Sequence, residues 1–194
     1  MRKTLDDVTK ARIVDDITHY CQQVLEPPNR AFANKPACPF SRREREADKI
    51  QYEFFAIGPE GPSDDVVQVV REFAIAGRYT TLLVIDPDRR VTVAEAAAYG
   101  VELSRQCRSQ QIVAISVHPD DDYAIDGFQP RRGVPYVIML CQAASYLRDT
   151  KKQLEGSGYY AKWSQAALNY NFEQVGQFLE PPSPESNEPG NSGR

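Results

Sequence analysis

One loop gathers most of the residues in this chain whose types could do chemistry. His118 follows the apolar run Ile112 to Val117, and Arg131 and Arg132 precede the next apolar run, Val134 to Cys141. Between them lie three consecutive aspartates, Asp120, Asp121 and Asp122. An imidazole can bind a metal or carry a proton near neutral pH. Guanidinium groups match carboxylates in a two-point geometry. A ligand or base at a strand end, facing a charged loop, is a common way to mount a site on a rigid scaffold. The same residues also suit a solvated surface turn, and their types alone do not separate the two readings.

The other candidates are sparser. His19, the second of two histidines, lies beside the apolar stripe of a helix and receives no catalytic role. Cys38 stands before Pro39 and is therefore held extended. It reads as a plug for the core, a pocket-lining group or a reactive thiol, and neighbouring arginines could lower its pKa. None of the four cysteines is spaced as CxxC, which disfavours a zinc knuckle or a thioredoxin-like motif.

These residues need a scaffold, and apolar periodicity supplies one. Leu5 to Leu25 recurs at helical spacing until Pro27 and Pro28 stop it. Ile50 to Ile57 reads as a strand. Ser63 is a plausible N-cap, with Asp64 and Asp65 in the first turn of a helix that ends near Gly77. Tyr79 to Ile85 is a second strand. Thr92 caps a long helix to about Arg108. Gln111 to Val117 and Val134 to Cys141 are the third and fourth strands. A helix from about Ala143 to Leu154 follows, and another begins near Tyr159 and carries Trp163, Tyr170, Phe172 and Phe178.

The order α-β-α-β-α-β-β-α-α predicts an α/β or α+β fold, with a single mixed sheet of about four strands covered by helices. The strands flanking the His118 loop are expected to be antiparallel neighbours. Helical crossovers favour parallel pairing elsewhere. Residues 1–179 read as one globular domain, and residues 180–194, rich in Pro, Ser and Gly, as a disordered tail.

With 194 residues the chain can bury a core without disulfides or metals. A formal net charge of −4 disfavours general nucleic-acid binding. No signal-like segment and no membrane-length apolar run is present, so a soluble, cytoplasmic protein with reduced cysteines is expected.

Two resemblances bear on function. His118-Pro119-Asp120-Asp121 resembles the HPDD motif of LmbE-type zinc deacetylases. That family places its motif after the first strand, however, and supplies a further histidine downstream, which this chain lacks. From Cys38 to Tyr160 the order of features resembles the YqcI/YcgG-type bacterial proteins, which include haem-dependent N-hydroxylases. The shared features are Cys38-Pro39-Phe40, a strand ending in His118-Pro119, the Arg131-Arg132 pair, Pro135 before an apolar strand and Gln142, and Gly158-Tyr159-Tyr160. The loop between His-Pro and Arg-Arg is longer and more acidic here.

That second resemblance implies haem b, with His118 as the iron ligand and Arg131 and Arg132 on the propionates. Cys38 and Tyr136 would lie in the cofactor pocket, with Phe128 and Trp163 as further lining. It implies an oxidoreductase, a monooxygenase that hydroxylates the nitrogen of a small amine or amino acid in biosynthesis, using an external electron donor. Asp120 to Asp122 would attract the cationic end of that substrate. The alternative is a module without catalysis that binds a small ligand or haem. A homodimer is among the open states, and neither nucleic acid nor membrane is an expected partner.

Overall fold

The structure is a computed structural model that describes residues 2–168. The tail expected from residue 180, and most of the last expected helix, lie outside the described residues. Among the described residues, no helix is long and apolar enough to cross a membrane.

Helix α1 (Asp7–Tyr20) starts at Asp6, whose carboxylate accepts the Thr9 N–H at 2.7 Å. It does not end at the prolines as an α-helix. Its last turn widens into a π-helical turn over Cys21–Leu25, a form found often near functional sites. A two-residue hairpin follows, β1 (Pro28–Asn29) with β2 (Lys35–Pro36). Helix α2 (Ser41–Glu46) comes next, in a charged stretch that shows no apolar periodicity.

Then come β3 (Ile50–Phe54), α3 (Asp64–Ala76), β4 (Thr81–Asp86), α4 (Val93–Gln106), β5 (Ile112–Val117), β6 (Val137–Ala143) and α5 (Ala144–Glu155). The main sheet has the order β3-β4-β6-β5. β3 runs parallel to β4, and β6 lies antiparallel to both β4 and β5. The mixed four-stranded sheet, the antiparallel pair around the His118 loop and the parallel pair joined by a helix all agree with the sequence reading. The insertion of β6 between β4 and β5 is the part that strand patterning does not specify.

Strand β6 begins at Val137, three residues after the apolar run opens at Val134. Residues 134–136 are held as loop instead. Val134 N–H closes a turn on Arg131 O at 3.2 Å, and Arg89 donates to Pro135 O. The Tyr136 hydroxyl donates to Asp16 at 2.5 Å.

Helices cover both faces of the sheet. α3 and α4 pack Val66, Val70, Phe73, Tyr99 and Leu103 onto Leu82, Val84, Val137 and Met139. On the opposite face, α1 lays Ile13, Ile17 and Tyr20 over Leu83, Ile85 and Ile138. The two helix starts behave differently. Thr92 and Glu95 form a reciprocal capping box on α4. Ser63 occupies the N-cap of α3, but its hydroxyl makes no capping bond and is buried with no partner among the described residues.

The two sheet edges differ as well. Ser104, on α4, donates to Gly100 O and accepts the Ala114 N–H of β5 at 2.8 Å. The backbone approaches closely at Gly100, where a Cβ would sit 3.1 Å from Ala114 O. Helix α4 thus closes the β5 edge. At β3, the outer edge is engaged among the described residues at the end of the strand, where Lys3 N–H donates to Phe54 O at 2.9 Å and Arg2 bridges Phe55.

Candidate functional site

The central loop is an internal scaffold. His118 is 4 % exposed. Its Nε2 lies 2.8 Å from Val91 O, and its Nδ1 accepts the Asp120 N–H at 3.0 Å. A carbonyl can only accept and an amide N–H only donates, so these partners define the neutral tautomer with the proton on Nε2. The Asp120 carboxylate lies 3.9 Å from Nδ1 and is itself exposed.

Asp121 turns inward. Its Oδ2 accepts from Arg131 Nη1 at 2.6 Å, and its Oδ1 accepts the Tyr123 N–H at 3.0 Å. The Arg131 guanidinium also stacks over the Tyr123 ring, 5.4 Å from its centroid. Arg132 stays exposed and donates to Gln129 at 2.9 Å. Asp122 is exposed, as expected for a solvated member of the acidic run.

These contacts do not fit the roles that the haem resemblance implies. An iron or zinc ligand needs a ring nitrogen with its lone pair directed at the metal. In His118 one nitrogen carries the proton given to Val91, and the lone pair of the other receives Asp120 N–H. Arg131 spends its charge on Asp121, so it is not poised for a propionate. No step through haem or zinc is derived from this arrangement.

The structure also separates the expected pocket residues. Phe128 and Trp163 belong to an aromatic nest with Phe32, Tyr159 and Tyr160, where Phe32 and Tyr159 ring centroids lie 5.0 Å apart. Tyr159 donates to Ala37 O. The Cys-Pro-Phe segment, the central loop and Gly158-Tyr159-Tyr160 therefore do meet in space, around rings packed against each other.

Cys38 borders this nest, its N–H bonded to Leu25 O at 3.0 Å. Burial pushes its thiol pKa up, and the nearby carboxylates of Glu26 and Glu44 add to that. The arginines of α2 do not activate it, because Arg45 and Arg42 pair with Glu26 while Arg43 pairs with Glu44. Tyr136 lies elsewhere, against α1. Burial and its bond to Asp16 push its phenol up to about 12.

The described surface opens instead beside α1. A groove of about 500 Å³ lies between the end of α1, the π-helical turn and the loop before β6. Asp16, His19, Tyr20, Gln23 and Val24 form one wall, and Gly133 and Pro135 the other. Asp16, His19 and Tyr20 lie on one face of α1, and Gln23 follows from the π-helical turn. Tyr20 donates to Pro130 O and Tyr136 to Asp16. Arg89 holds Pro135 O from the third side. The opposite wall is thus clamped at three points. Gly133 has φ +83°, a backbone conformation glycine adopts without strain.

Sequence reasoning set His19 aside and did not consider Asp16 or Gln23. A polar trio at helical spacing was present as a signal, but its second wall comes from a loop more than a hundred residues away in the chain.

Among the described residues, no group of three or more His, Cys, Asp or Glu side chains is arranged to hold a metal ion. Comparison with protein-family models, curated proteins and solved structures returns no match.

Proposed function

We propose that the protein is a binding module for a small amine or amino acid, which sits in the groove between α1 and the loop before β6. The observation that carries this reading is the groove itself. It is about 500 Å³, within the range of small-molecule sites, and Asp16 and His19 from α1 and Gln23 from the π-helical turn all line it.

The wall chemistry suits a ligand with a cationic end. Asp16 accepts a hydrogen bond from the Tyr136 hydroxyl at Oδ2, and a carboxylate has lone pairs for further donors. An ammonium or guanidinium group can bind the other oxygen. His19 and Gln23 lie one and two turns along and can meet the polar remainder of the ligand. The apolar parts of Tyr20, Val24 and Pro135 line the groove between them. The same substrate class is implied by the resemblance from Cys38 to Tyr160, whereas the His118 contacts disfavour catalysis through that residue.

Calorimetric titration with a panel of amino acids and small amines tests the reading. Saturable binding is expected for ligands with a free cationic group. Asp16→Asn should weaken it about tenfold, roughly 1.4 kcal/mol, and His19→Ala should weaken it measurably. Absence of saturable binding across the panel, or binding indifferent to both substitutions, would overturn the proposal.

A further inference from the structure

Strand β3 offers a sheet edge that the described residues use only in part. Lys49 O accepts from Thr81 N–H, and Phe55 N–H donates to Ile85 O. Amide direction alternates along a strand, so residues 49, 51 and 53 address β4, while Ile50, Tyr52 and Phe54 address the outside. Phe54 O is taken by Lys3. No described main-chain group pairs with Ile50 or Tyr52 across that edge. A groove of about 310 Å³ lined by Arg2, Lys3, Lys10, Tyr52, Glu53 and Phe54 runs beside the strand.

A free edge can pair with any extended backbone, so side chains must select the occupant. Here they are complementary to themselves. Two copies of β3 laid antiparallel about a two-fold axis at Gln51 place Ile50 opposite Tyr52 of the partner subunit, and Tyr52 opposite the partner's Ile50. Both are outward-facing positions, so each pair can exchange its two N–H···O bonds. In the same register Lys49 falls opposite Glu53 of the partner subunit, and Glu53 opposite the partner's Lys49. The charged pairs lie on one face of the sheet with Gln51, and the apolar pairs lie on the α1 face.

The groups in this register can accept new partners. Glu53 is bonded at Oε2 by Arg2 and at Oε1 by Gln51, and a carboxylate oxygen has a second lone pair. Lys49 Nζ is bonded to a neutral carbonyl, Arg78 O, at 3.0 Å. We propose that the protein forms a two-fold symmetric dimer through β3, joining two four-stranded sheets into one continuous sheet. This inference is independent of the ligand groove.

Sedimentation velocity on the full chain over a range of concentrations tests it. The wild type is expected to dimerise. Lys49→Glu and Glu53→Lys, each alone, set like charges opposite each other twice per dimer and should raise the dissociation constant at least tenfold. The double variant carrying both changes restores opposite charges and should recover dimerisation. Far-ultraviolet circular dichroism on each variant confirms that the fold is kept. A monomer at all concentrations overturns the proposal, and so does a dimer indifferent to the single changes or one that the double change does not rescue.

Discussion

Asp121 and Arg131 stand near the two ends of the loop after β5 and meet as a buried ion pair, with Arg131 Nη1 2.6 Å from Asp121 Oδ2. Their side chains are 5 % and 10 % exposed. Each carries hydrogen bonding that suits its partner, and Arg131 also covers the Tyr123 ring. The pair turns the acidic loop from a candidate site into a brace.

Removing one member takes the opposite charge away from the other in a dry environment. Asp121→Ala and Arg131→Ala should each cost about 3–5 kcal/mol of stability, read by urea denaturation. A paired apolar replacement, Asp121→Leu with Arg131→Met, should cost less than either single change. Strictly additive costs would show that the two side chains do not act as a unit.

Ser104 makes a second prediction, at the closed edge of the sheet. Its hydroxyl is buried and satisfies the Ala114 N–H. Ser104→Ala leaves that amide without an acceptor and should destabilise by about 1–3 kcal/mol. Gly100→Ala should also destabilise, because its Cβ would meet a backbone carbonyl rather than a flexible side chain. Thermal melts of both variants give the reading, and an unchanged melting temperature would remove α4 as the seal.

Acid should loosen the junction between α2 and the sheet. Burial pushes the Glu26 carboxyl up, but hydrogen bonds from Arg45, Arg42 and Ser41 outweigh it and hold the pKa below 4.5. Burial likewise raises Glu44, and Thr80, Arg43 and Tyr146 reverse it. A pKa depressed by folding contributes stability that is complete above the unfolded value. That stability is lost as pH falls through the folded value. The melting temperature is therefore expected to hold above about pH 5 and to fall below it. Glu26→Gln should flatten that fall, and an unaltered acid slope would count against the assignment.

The layout of the fold was legible where local rules act alone. Apolar runs marked the four strands, and Thr92 with Glu95 marked the start of α4. Other features depend on distant partners. Helix α2 has almost no apolar face, and its one buried residue is a glutamate held by Thr80 and Tyr146. The run Val134 to Cys141 looked like one strand, yet bonds from Arg89 and Tyr136 hold its first three residues out of the sheet. His118 could face water or core on pattern alone, and the Val91 carbonyl and the Asp120 N–H settle its orientation. The groove is not legible in the sequence because a polar helix face becomes a wall only when a second wall stands opposite.

The closed edge at β5 also sets a limit on growth. A sheet with two open ends can add copies indefinitely, and fibres are built this way. Ser104 and Gly100 hold helix α4 against one end at Ala114, which obstructs addition there. Among the described residues, a copy that joins through β3 uses the other edge of the main sheet on both molecules. The proposed edge-to-edge association through β3 would therefore stop at two.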